Sequence, residues 1–405
     1  MLFRPCFLGM IVLTAGLFSG GSSVSAQTTT DFTLWKDAKQ AENVYRMAQL
    51  LNRDFRNAAG TDRKELLANT LSALVEIASS SDVVPSARYN AILAIGQLES
   101  SPGIPPALPV AYPEALTFLA DFYQKADSPH YLKLGALLGI VRHALCGIDP
   151  PQRDNVIDLL LETVTSEFAV GFDAPQEPAV WDWFRHTALD GLSALKTPGI
   201  DGNVVAELLF IIDRKSQELE ELCNHPSLLS REAWEQTRRT IEFASKAAKT
   251  LGDLDYQPET DVDATAMSDA FIGLTIAVCD VAGKMTEDFI KLEKKSLDPA
   301  VLRERMVISV KICTQSVVWG IRNGFLTSKP SENSFYASLK SNEPAIKRLD
   351  ALMAEIVELS AFFDEGVKAK RTIAIPNMPK EFKFDLSELR DMLKKCSNAL
   401  TNISE

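Results

Sequence analysis

The sequence predicts an all-α protein, an α-α superhelix followed by a helical bundle. Three observations lead there. Apolar residues recur at helical spacing along most of the chain, while period-two alternation is nearly absent. Amphipathic segments come in pairs through the first half, joined by turns that often carry proline (Pro85, Pro129, Pro178). Beyond residue 263 the pairs give way to longer stripes with seams near 3.5 residues.

The chain has 405 residues, 46% hydrophobic and 24% charged, a composition that excludes wholesale disorder and is ample for large buried cores. Its net charge of −12 argues against a protein that works by neutralising nucleic-acid phosphates. Six cysteines are too few for a disulfide scaffold.

Taken in order, residues 1–26 carry the marks of a secretory signal peptide. Arg4 is followed by the apolar run Cys6–Phe18 and a small-residue end, Val24-Ser25-Ala26. That run is shorter than the roughly 20 residues a membrane span needs. Cleavage after Ala26 would leave 379 residues, a net charge of −13 and five cysteines. The expected location is extracytoplasmic, periplasmic or secreted. No later stretch reads as a charge-free span, so no stable membrane insertion is expected after cleavage.

Residues 27–252 form the expected repeat domain. Leu34, Ala38, Ala41, Val44, Ala48, Leu51 and Phe55 mark a first amphipathic helix. First helices of successive pairs are expected at Leu66–Ala78, Glu114–Ala126, Asn155–Phe168 and Val204–Leu219. The second helices align with one another. Arg88-Tyr-Asn-Ala91-Ile-Leu-Ala94-Ile95 matches Lys133-Leu-Gly-Ala136-Leu-Leu-Gly139-Ile140 and Arg185-His-Thr-Ala188-Leu-Asp-Gly191-Leu192, at offsets of 45 and 52 residues. Basic-x-x-Ala-aliphatic-x-small-aliphatic resembles the second helix of HEAT repeats, over roughly 65–195 and more weakly to 251. The resemblance implies a solenoid whose repeats bury their apolar faces by stacking, and whose long surface takes protein partners. Asp190, at a usually apolar position, departs from the pattern.

Gly252–Asp263, acidic and interrupted by Pro258, is the expected domain boundary. Residues 263–405 read as a helical bundle, or alternatively as further degenerate repeats. Its stripes run from Met267 to Leu292, over Leu302–Ile321 after Asp298-Pro299, from Ile346 to Phe363, and from Leu386 to Leu400 behind Asp385 and Glu388 as a capping box.

No catalytic, cofactor or metal signature emerges. His130, His143, His186 and His225 form no metal motif, and Cys223-Asn-His225 has no partner pair. His143 and Cys146, three residues apart, read as packed side chains rather than a nucleophile pair. The five cysteines left after cleavage read as buried small hydrophobes. Asp261-Val-Asp263 reads as a helix start. Two features stand out as surfaces. Val180-Trp181-Asp182-Trp183-Phe184-Arg185-His186 offers Trp181, Trp183, Arg185 and His186 as a partner or sugar-stacking patch, or else as packing at a repeat junction. Ser100–Pro113, with five prolines in fourteen residues, is either a recognition segment or a cover for the repeat core. The expected function is therefore an exported, non-enzymatic scaffold for a partner of neutral or basic character. A carbohydrate-binding module comes second, and an enzyme using carboxylates such as Glu162 or Asp190 third.

Overall fold

The computed structural model describes residues 51, 54, 55, 58, 60–103, 107–166, 178–257, 262–292, 308–317, 320, 332–339, 342–368 and 386–404. The expected signal peptide, most of the first amphipathic helix, Asp298-Pro299 and Asp385 lie outside them.

The fold is all-α. Four helix pairs lead the described chain: α1 (Gly60–Ser79) with α2 (Pro85–Ile95), α3 (Pro113–Gln124) with α4 (His130–Ala144), α5 (Pro150–Thr165) with α6 (Pro178–Leu195), and α7 (Asn203–Cys223) with α8 (Arg231–Asp253). Proline opens α2, α3, α5 and α6, where its missing N–H costs no helical bond and its fixed φ suits the first turn. Serine opens α8, Ser230 Oγ accepting from the Ala233 N–H at 3.2 Å.

Second helices pack side by side in the order α2, α4, α6, α8, forming one continuous layer. Small residues permit the close approach: a Cβ added at Gly96, the C-cap of α2, would stand 2.5 Å from Gly139 Cα on α4. First helices touch more sparingly, α3 with α5 and α5 with α7. Aliphatics between the layers, such as Leu74, Ile92, Leu119, Ile140, Leu160 and Leu192, are buried to 1% exposure or less. Burying each contributes about 1.5–3 kcal/mol.

Sequence periodicity gave no hint of a short ribbon between the first two pairs. Glu99–Ser101 pairs antiparallel with Val110–Ala111. The segment is then clasped to the next inter-pair loop, Ala111 N–H donating to Gly147 O at 3.1 Å and Gly147 N–H to Pro109 O at 2.8 Å. The proline-rich stretch thus ties two loops together, with Leu108, Val110 and nearby Leu145 exposed.

Beyond the fourth pair come α9 (Ala264–Leu292), a helical stretch at 308–317, the single turn α10 (Phe335–Ser338), α11 (Glu343–Lys368) and α12 (Leu386–Ser404). Asp263 caps α9, its Oδ1 accepting the N–H groups of Thr265 and Ala266 at 2.9 and 3.0 Å, as expected of a helix start. α9 packs on α7 and α12, and α11 lies against α12. One apolar core runs unbroken from Leu51 to Leu400. Tyr256, in the acidic connection, sits in that core, with its ring 5.7 Å from that of Phe335 and its hydroxyl donating to Leu251 O.

In length and mean hydropathy α9 is apolar enough to cross a membrane, although it carries charged residues such as Asp269 and Asp280 and is not a charge-free span. Two-thirds of its most apolar window is buried inside the protein. Its polar side chains face neighbours: Asp269 pairs with Arg348, and Asp288 Oδ2 accepts the Leu228 N–H at 3.0 Å.

Candidate interaction surface

The aromatic motif lies in the first two turns of α6. The structure divides the four residues expected to act as one surface. Trp181 is buried at 8% exposure, its ring 5.8 Å from Phe184 and its Nε1–H donating to Ser166 O at 3.1 Å. Arg185 donates from Nε to Val164 O at 2.9 Å, and its guanidinium carbon stands 3.9 Å over the Phe243 ring of α8. Val164 and Ser166 are at the C-terminal end of α5, where carbonyls lack helical partners and the dipole favours cations. Two of the four residues therefore cap the paired helix, and Arg185 also bridges to the next pair.

Arg88, which the sequence alignment places at the same repeat position, does the same in the first pair. Its Nε donates to Ala78 O at 3.0 Å, near the end of α1. Lys133, the basic residue of the second copy, is buried at 2% exposure, which lowers its amine's affinity for a proton. In the first and third copies the basic residue thus caps the end of the paired helix, Arg88 on α1 and Arg185 on α5.

His186 turns its ring edge-on to Phe243 at 5.6 Å. Burial, helped by the nearby Lys246 charge and opposed by Asp190, lowers it to about 4, so it is neutral near pH 7. Asp182, one turn before His186, pairs with Arg239 on α8 at 3.6 Å. Burial raises its carboxyl, with Arg239 as the main opposing charge.

Trp183 alone of the four faces out, at 60% exposure. Five residues before the aligned alanine of α6 (Ala188), it matches Tyr131, five before Ala136 on α4. Tyr131 is itself 39% exposed. Neighbouring helices of the second layer therefore carry an exposed ring on equivalent turns.

Two grooves open on the other side, among the first helices. One, of about 380 Å³ between α3 and α5, is lined by Asp121, Asp158, Glu162, Gln124, Gln152 and Asn155, among others. The other, of about 160 Å³, brings Arg185 together with Thr165, Phe210, Arg214 and Lys215. Glu218 answers Lys215 there at 2.6 Å. Of the carboxylates considered for catalysis, Glu162 lines the acidic groove, whereas Asp190 pairs with Lys246 on α8. The structure does not bring them together.

His143 is fully buried and lowered to about 4 by burial and the neighbouring Arg142 charge. The Cys146 thiol, raised by burial, points at Arg142 O at 3.7 Å. A raised thiol beside an uncharged ring is the opposite of an activated pair. His225 turns Nδ1 to Ser227 O at 2.7 Å. Among the described residues no group of three or more His, Cys, Asp or Glu side chains is placed to hold a metal ion.

Comparison with protein-family models, with curated proteins and with solved structures returned no match for this chain.

Proposed function

We propose that the chain is an exported, non-enzymatic scaffold, a short HEAT-like solenoid continued by a helical bundle, which binds a protein partner across its second-helix layer. The observation that carries this is the exposed Trp183, with Tyr131 on the equivalent turn of the adjacent helix. Tryptophan presents a large rigid face and anchors interfaces more often than most residues. Packed helices lie about 8–10 Å apart, and a polyproline II strand advances about 9 Å every three residues. An extended peptide crossing the layer would set one side chain per turn against each ring. The net charge of −12 favours a neutral or basic partner. Residues 1–26 supply the export signal in this reading.

The experiment is capture from the extracytoplasmic fraction with wild-type protein and with Trp183→Ala, at several salt concentrations. The variant is expected to fold normally and to lose a specific partner at least tenfold, the scale of an anchor worth over about 1.4 kcal/mol. Equal recovery by both proteins refutes the assignment. A carbohydrate ligand stacked on Trp183 is the second reading, favoured by the same exposed ring. It is weaker because Trp181 turns inward and supplies no second platform. Quenching of tryptophan fluorescence by soluble polysaccharide, absent in Trp183→Ala, would select it.

A further inference from the structure

The sequence scatters its cysteines, and the fold gathers them. Cys279 on α9 and Cys396 on α12 belong to helices packed against each other and are each 2% exposed. Their register is held by the residues that follow them in sequence: Ser397 Oγ donates to Asp280 Oδ1 at 2.6 Å. A second tie, Lys394 Nζ to Glu287 Oε1 at 2.6 Å, runs in the opposite sequence sense, so the helices are antiparallel. This antiparallel register sets the two buried cysteines, each one residue before the bonded pair Asp280 and Ser397, against each other across the seam between the helices. Cys313 is also fully buried. Cys223 shares with Cys279 a groove of about 360 Å³. All five described cysteines carry free thiols in this structure.

We propose that Cys279 and Cys396 are an oxidisable pair that closes into a disulfide fastening α12 to α9. The pair spans 117 residues, so the link would tie the end of the chain to its central helix and restrict the unfolded ensemble strongly. The oxidant is a disulfide-bearing molecule. One cysteine thiolate attacks it, a mixed disulfide forms, and the oxidant's first thiolate leaves. The second cysteine then attacks the mixed disulfide and expels the other half. Two cysteine protons go to solvent and two electrons to the oxidant, which ends as two thiols. The main contacts of α12 are with α9 and α11, so moving it away from α9 uncovers both sulfurs while the helix pairs stay packed. Burial pushes the Cys223 thiol up to about 11 and that of Cys313 to about 12. The neighbouring Cys396 thiol, together with burial, raises Cys279 well above its ordinary value, so attack by Cys279 belongs to the lifted state.

Full-length protein incubated with oxidised glutathione, then denatured, alkylated and digested with trypsin, tests this by mass spectrometry. The expected product has two fewer alkyl groups and joins peptide 250–284 to peptide 396–405, each holding a single cysteine. Its thermal midpoint lies several degrees above that of the reduced protein. Cys313→Ser and Cys223→Ser retain the link, whereas Cys279→Ser and Cys396→Ser lose it. The wild-type digest decides the matter even where a variant folds poorly. Alkylation of every cysteine, a stable glutathione adduct, or a link through Cys146, Cys223 or Cys313 overturns the proposal.

Discussion

Replacing Gly96 by alanine adds one methyl group where the two second helices leave no space for it. The new Cβ would stand 2.5 Å from Gly139 Cα, and both partners are backbone. Ordinary contact begins near 3.4 Å, so α2 and α4 must part by about 1 Å or distort. Overpacking of this kind costs about 1–3 kcal/mol. Gly283 in α9 is the matched control, since its added Cβ meets nothing within 4 Å. There the same change should stabilise by about 0.5–1 kcal/mol through helix propensity alone. Gly139→Ala should fall between, because its nearest obstacle is the flexible end of Leu119 at 2.9 Å. Urea unfolding followed by circular dichroism gives the order: midpoint lowered in Gly96→Ala, near wild type in Gly139→Ala, raised in Gly283→Ala, with unchanged slopes. A Gly96→Ala midpoint at or above wild type would show that the layer does not depend on backbone approach at this point.

Two further outcomes follow from the buried titratable groups and the caps. His143, lowered from 6.5 to about 4 by burial and Arg142, is neutral in the folded chain. Above pH 6.5 neither state is protonated there and stability is unaffected. Between 6.5 and 4 only the unfolded state takes up the proton, so stability falls with falling pH, by about 3 kcal/mol in total. His186 adds a loss of the same sign. Urea midpoints measured across this window should decline, and less steeply in His143→Leu; an identical decline in that variant contradicts the assignment. Arg185→Lys loses the Nε–H bond to Val164 O and the guanidinium stacking on Phe243. A destabilisation of about 1–3 kcal/mol is expected. An unchanged melting temperature would mean that the cap contributes nothing.

Much of the fold was legible because helical periodicity and proline placement are local signals. Pro85, Pro129 and Pro178 mark the starts of second helices, and the aligned Arg88, Lys133 and Arg185 segments lie on helices that pack side by side. The ribbon at 99–111 was not legible, since strands of two or three residues are too short to show alternation and depend on Gly147, far along the chain. The site was half legible. Trp181 and Trp183 are two residues apart and so about 200° apart around a helix, and they could not share a face. Which of them faced solvent depended on where α5 ends. The role of Arg185 had a signal in the sequence, namely a basic residue at the same position of each copy, but its target is a carbonyl that no sequence pattern names. The Cys279–Cys396 approach spans 117 residues and follows from tertiary packing alone.

The order in which α9 acquires its neighbours has a kinetic consequence. α7, which covers one side, has already left the ribosome when α9 emerges, but α12 begins 94 residues after α9 ends. At cellular elongation rates that is a gap of roughly 5–20 s. For that interval a helix with the length and apolarity of a membrane span has one flank uncovered on the nascent chain. Holding chaperones and bilayers compete for that flank until synthesis reaches residue 404. Early termination before α12 would therefore yield a product prone to aggregation or misinsertion, rather than a shorter folded chain.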